Sequence, residues 1–221
     1  MRIFNTLMRV SIPSSFTKTK WATIVELMVV LAILWMGISG LLQTLSASIN
    51  YARDTENNIK AINIAREGIE AMTNIRETNW LRFSSDKLNC WRVQDYSSSC
   101  IGNTTSAGKI ASGSYSIYSQ NGVWFLSGAT SPGFTSWNAY KNIYQVGLDT
   151  NGFYTQTGIS ATPCSAWVQK SCTTIFTREI NLIVSPTNSG SMNVQSITRW
   201  FDRRPQNVTL ETTLTNWKSN F

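Results

Sequence analysis

The chain has 221 residues, 42% apolar and only 14% charged, with a formal charge of +7 and no histidine. The missing histidine excludes Ser-His-Asp and Cys-His catalytic sites and mixed Cys/His zinc centres. Four of the cations, Arg2, Arg9, Lys18 and Lys20, precede Trp21 with no acid among them, so the remainder carries 15 cations against 12 acids, a balance of +3 that is no strong argument for a nucleic-acid partner.

Residues 1–21 read as a basic leader. Ala22 to Leu42 follows as an apolar run of 21 residues whose only charge is Glu26. As a helix it would cover about 31 Å, close to one hydrocarbon core. The flanking cations place the N-terminus inside the cytoplasm and the rest across the inner membrane. A cleaved secretory signal, with Ser46-Ala47-Ser48 as its cleavage site, and a plain single-pass anchor are the alternatives. Neither calls for an acid that costs roughly 2.5–3.5 kcal/mol near the membrane centre and less near an end.

The helix is expected to run on to Phe83, giving one long element over residues 22–83. No proline interrupts residues 46–83, and Gly68 is their only glycine. Ile59, Ile62, Ala65, Ile69, Met72 and Ile75 recur at three- and four-residue spacing and form one apolar face, with Ile62 to Ile75 expected to pack on a globular domain. Glu56 and Lys60 form a favourable i,i+4 pair. Gly37, Ser39 and Gly40 are places where the helix could bend.

After Phe83 the composition turns to Ser, Thr, Asn and Gly with sparse charge, and residues 84–221 read as an extracytoplasmic β-rich domain. Tyr115–Ser119 and Val123–Leu126 flank Asn121-Gly122. Ile143–Leu148 and Phe153–Thr155 flank Asn151-Gly152. Both are hairpin signals. Ile175–Val184, Met192–Phe201 and Val208–Leu214 are further strands, and the fold class is α+β with an antiparallel sheet. The four cysteines, Cys90, Cys100, Cys164 and Cys172, all follow the helix and imply two disulfides. Local pairing, Cys90 with Cys100 and Cys164 with Cys172, is the simplest of three connectivities. A zinc site of four cysteines is disfavoured, since no two lie two to four residues apart.

No catalytic constellation, P-loop or dinucleotide fingerprint is present. No enzyme activity, cofactor, metal or small-molecule substrate is expected. Asp149-Thr150-Asn151-Gly152 opens like some calcium loops, and a two-residue hairpin turn explains it better. The carboxylates Asp86, Asp95, Asp149, Glu179, Asp202 and Glu211 show no spacing that argues for a hydrolase pair. Trp200-Phe201-Asp202-Arg203-Arg204 could contact DNA through stacking and phosphate pairing; a strand end followed by a turn is the preferred reading.

The stretch Ala22-Thr23-Ile24-Val25-Glu26, after a basic leader and before Leu27-Met28-Val29-Val30-Leu31-Ala32-Ile33-Leu34, resembles the N-terminus of type IV prepilins and type II secretion pseudopilins. A second match is Ala65-Arg66-Glu67-Gly68-Ile69-Glu70 followed by Arg76-Glu77-Thr78-Asn79-Trp80. With Leu214-Thr215-Asn216-Trp217 at the end, it resembles minor pilin-like proteins. The resemblance implies a type IV pilin-like fold, cleavage by a prepilin peptidase between Trp21 and Ala22, and methylation of the new Ala22 amine. It also implies pairing of Glu26 with the Ala22 amine of a neighbouring subunit, in an extracellular pilus or a secretion pseudopilus. The expected partners are other pilins or pseudopilins, the peptidase and the membrane. A filament-tip adhesin or DNA-binding subunit is the alternative of a different class. The family has glycine before the cut where this chain has Trp21. Two readings follow: the bulky indole obstructs processing, or a UGA codon is read as glycine in the cell and rendered as Trp on translation, a reading that extends to Trp35 beside Gly37 and Gly40.

Overall fold

The computed structural model describes residues 24–105, 108–127, 133–134, 143–185 and 190–220. Helix α1 (Ile24–Arg82) opens the described chain. Residue contacts divide the protein into two compact units, 1–53 and 54–221. In the first, every residue from Ile24 to Ile49 is helical and exposed. A helix apolar on all sides has no polar stripe to turn to water. It continues unbroken through Gly37, Ser39 and Gly40, and the Ser39 hydroxyl donates back to the Met36 carbonyl at 2.9 Å.

The second unit holds α1 from Asp54, the short helix α2 (Lys87–Cys90), a 3-10 turn (Ser98–Cys100), eight strands and a final 3-10 turn (Trp217–Asn220). The strands are β1 (Gly113–Tyr115), β2 (Ile117–Gln120), β3 (Val123–Leu126), β4 (Gln145–Leu148), β5 (Tyr154–Thr155), β6 (Cys172–Val184), β7 (Ser191–Asp202) and β8 (Arg204–Thr215). Six of them form one sheet in the order β5-β4-β6-β7-β8, with β1 also on β6; β2 and β3 form a separate pair. All of these pairings are antiparallel. The second unit is therefore a helix packed on an antiparallel sheet.

Alternation explains the long strands. Met192, Val194, Ser196, Thr198 and Trp200 of β7 are buried while their neighbours are half-exposed. That is the period-two pattern of a sheet with one covered face. The helix contributes Ala61, Ile64, Ala65, Gly68, Ala71, Met72, Ile75, Asn79 and Trp80. One core cluster joins Ala71, Met72, Ile75 and Trp80 to Ile180, Leu182, Met192, Val194 and Leu214. A second joins Ala61 and Ile64 to Val146, Phe176 and Trp200. Along the sheet, β6 therefore runs in the same sense as the helix.

Several expectations change. The buried stripe is rotated: Ile59 and Ile62 are 55% and 45% exposed, while Ile64 and Ala61 are covered. Small residues are the cause. Alanines at 61, 65 and 71 and Gly68 let the helix approach the sheet, so the stripe follows them rather than the largest side chains. A Cβ on Gly68 would collide with the Ser196 hydroxyl and lie 2.8 Å from Ile180 Cδ1.

The segment Tyr115–Ser119 is not one strand. The chain leaves the main sheet at Ser116, so Tyr115 pairs with Ile180 while Ile117 pairs with Leu126 in the two-stranded ribbon. The turn Asn121-Gly122 is as expected, with φ of 52° and 76° and Gln120 opposite Val123. The second hairpin is longer than two residues, since Leu148 pairs with Tyr154 and Phe153 lies in the connection. Asp149 sets that loop: its Oδ1 accepts from the backbone N–H groups of Asn151 at 2.8 Å and Phe153 at 2.9 Å. Strand β4 starts at Gln145 rather than Ile143. Residues 186–189, between β6 and β7, lie outside the described residues.

Candidate functional site

The N-terminal helix is the first candidate. Trp21 and Ala22, the expected processing positions, lie outside the described residues. Glu26 lies in the first turn of α1, among exposed Ile24, Val25, Leu27 and Met28. An acid in a first helical turn also gains from the helix dipole, by roughly 0.3–1 kcal/mol in water. That is less than the cost of a lone carboxylate in lipid. Among the described residues, α1 is the one helix long and apolar enough to cross a membrane.

The two sequence patterns outside the apolar run come together in the second unit. Glu67 Oε2 accepts from Arg178 Nη1 at 2.9 Å. The Arg178 guanidinium is fully buried and also donates to Gln156 Oε1 at 3.1 Å and to the Ile64 and Ile117 carbonyls. Burial pushes the Glu67 carboxyl up, and attraction to Arg178 offsets only part of that. Burial likewise pushes Arg178 down, with Glu67 opposing it. Such a pair fixes geometry more than it adds stability, since both ions lose hydration.

At the far end of the helix, Trp80 Nε1 donates to Asn216 Oδ1 at 2.9 Å, and the Trp80 and Trp217 rings meet edge to face at 5.6 Å. Asn79 Nδ2 donates to the Val93 carbonyl at 2.9 Å. Trp80 with Asn216-Trp217 thus clamps the helix end to the end of β8, while Asn79 ties it to the segment after α2. These roles are structural. Arg178, which completes the Glu67 contact, was not singled out by the sequence, because a charged residue inside a strand reads as solvent-facing.

Both disulfides are local, Cys90 with Cys100 and Cys164 with Cys172. Cys90 and Cys100 pack with Phe83 and Val93 in a third core cluster. Asp86 caps α2: its Oδ1 accepts from the Asn89 backbone N–H at 3.1 Å and its Oδ2 from the Gly102 N–H at 2.7 Å. Those hydrogen bonds, led by the Asn89 side chain, hold its carboxyl below the usual aspartate range.

Between Glu56–Lys60 of α1 and the Cys164–Cys172 loop lies a groove of about 1280 Å³, lined among others by Lys60, Tyr154, Lys170, Phe176 and Phe201. Among the described residues, no three His, Cys, Asp or Glu side chains are grouped to hold a metal. The Asp149 carboxylate is occupied by backbone N–H groups, which hold its pKa low. Trp200 is 2% exposed and packed on Phe176, so it is not placed to stack on a base. Arg203 and Arg204 are exposed at the reversal between β7 and β8, where Asp202 pairs with Arg204.

The chain matches no family model, no curated protein and no solved structure. What it does must therefore be argued from its own residues.

Proposed function

We propose that this protein is a structural, non-enzymatic subunit of a type IV pilus, similar to a minor pilin, held in the inner membrane by α1 and assembled into a filament through that helix. The observation that carries this reading is Glu26, the one charge in an exposed apolar stretch that is otherwise uniform from Ile24 to Leu42. In lipid, a carboxylate there is costly alone, and an amine from a neighbouring chain offsets the cost. The Ala22 amine, which the resemblance to prepilins implies is freed by cleavage after position 21, is the proposed partner. Further support comes from the helix packed on an antiparallel sheet and from two disulfides, which suit an oxidising compartment. A type II secretion pseudopilin shares these features and uses the same anchoring physics.

The test joins processing to assembly. Mass spectrometry of the native protein is expected to find a mature N-terminus at Ala22, and the gene to carry TGA at codon 21. Glu26→Ala is expected to insert in the membrane normally and to enter filaments far less. Normal incorporation of that variant, or a mature chain beginning elsewhere, would sink the reading.

A further inference from the structure

The exposed aromatic side chains of the second unit are unevenly placed. Among its described residues, the large exposed aromatics are Phe153 (71%), Trp167 (95%), Phe201 (57%) and Trp217 (55%). Trp217 packs edge-on against Trp80 under Lys218. The other three share one end of the sheet. Phe153 precedes Tyr154, whose partner Leu148 pairs with Cys172. Trp167 lies in the loop closed by that cysteine. Phe201 follows Trp200, which pairs with Phe176 on the same stretch of β6. Lys170, Arg203 and Arg204 are exposed at this pole too.

This is also the pole where the chain enters the unit. Ala61 and Ile64 pack on Phe176 and Trp200, and Glu56 and Lys60 share a groove with Lys170 and Phe201. Asp54 is twelve residues from Leu42, where the apolar run ends, and α1 is continuous between them. Twelve helical residues rise about 18 Å. With residues 22–42 in the bilayer, this connection keeps the pole near the lipid headgroups.

We propose that the pole is a lipid-contacting surface, in which Phe153 and Phe201, with Trp167, enter the headgroup zone of the membrane while Lys170, Arg203 and Arg204 reach lipid phosphates. Aromatic rings flanked by cations are the side chains that partition to this zone. Two of the acids at this end are already engaged: Glu56 pairs with Lys60 at 2.6 Å and Asp149 holds its own loop. Asp202, at the reversal between β7 and β8, is outnumbered there by Arg203 and Arg204. The inference rests on the membrane part of the proposed function and does not depend on filament assembly. Phe153 and Phe201 carry the surface whatever codon 167 specifies. Its consequence is a subunit held against the membrane before assembly, with a contact that must break on extraction.

The test uses the full chain in phosphatidylethanolamine–phosphatidylglycerol nanodiscs, read by hydrogen–deuterium exchange. Amides of residues 149–153, 164–172 and 200–204 are expected to exchange several-fold slower than in the Phe153→Ser/Phe201→Ser double variant in the same nanodiscs. Amides near Cys100 are expected to be equal in both and serve as the folding control. Insertion with equal exchange at the pole overturns the proposal and leaves the anchor intact. Failure of the parent chain to enter nanodiscs overturns the anchor itself. Slowing that appears only in assembled filaments assigns the pole to another subunit and overturns the lipid contact.

Discussion

Gly68 shows how much one missing carbon decides. In an isolated helix, Gly68→Ala would gain about 1 kcal/mol of propensity. Here the added methyl meets the Ser196 hydroxyl and Ile180 Cδ1 in a closed core. Overpacking of that kind costs typically 1–3 kcal/mol, which matches or exceeds the propensity gain. Gly68→Ala is expected to lower unfolding free energy by up to about 2 kcal/mol, measured by urea denaturation. Adding Ser196→Ala removes the nearest atom, a buried hydroxyl without a hydrogen-bond partner among the described residues. The double variant should therefore recover much of the loss, and strict additivity of the two changes would refute the contact argument. The sequence shows Gly68 as the one glycine of residues 46–83 but could not name what approaches it. Ser196 and Ile180 lie more than a hundred residues away, and only the register of β6 on β7, which places Ile180 opposite Ser196, brings them under the helix together.

At the scale of elements, the two disulfides test whether burial or loop closure matters more. Their sequence separations are 10 and 8 residues. Loop entropy therefore predicts nearly equal stabilisation, roughly 2.5–3 kcal/mol each. Their surroundings differ. Cys90 and Cys100 are 0% and 1% exposed within a cluster closed by Phe83 and Val93, whereas in the second pair Cys172 is buried but Cys164 is only half-buried beside an open groove. Replacing Cys90 and Cys100 by serine is expected to cost more than the same change at Cys164 and Cys172, because it also puts hydroxyls into an apolar cluster. Thermal unfolding of the two double variants decides it. Equal losses would leave loop closure as the whole effect.

The elements themselves were largely legible. The helix has one continuous pattern, and the long strands alternate. What the sequence could not supply was the helix's facing direction, since Ile59 and Ile62 satisfy the same spacing as Ile64 and Ala61. The split at Ser116 was equally hidden, because the alternation does not change where the chain crosses from the main sheet to the ribbon.

For the whole molecule, the sequence places a change of character at Phe83, but the fold does not part there. The unit that contains the sheet begins at Asp54 and includes the last half of α1. Without residues 54–82, the covered face of the sheet would show Val146, Phe176, Ile180, Leu182, Val194 and Leu214 to water, and Arg178 would lose Glu67. Full burial of each such apolar side chain is worth about 1.5–3 kcal/mol, so even half of the total rivals the entire stability of a domain, about 5–15 kcal/mol. Removing residues 1–53 has no such effect on the second unit. The new helix start would have Asp54 available as an N-cap, a residue type suited to that position. A fragment of residues 54–221 is therefore expected to be soluble and monomeric, to unfold cooperatively and to form both disulfides, while residues 84–221 aggregate or stay unfolded. Circular dichroism, size-exclusion chromatography and thiol counting on the two fragments separate the outcomes. A well-folded 84–221 would mean that the helix only rests on the sheet. An unfolded 54–221 would mean that the apolar half contributes to the core in a way the two-unit division does not contain.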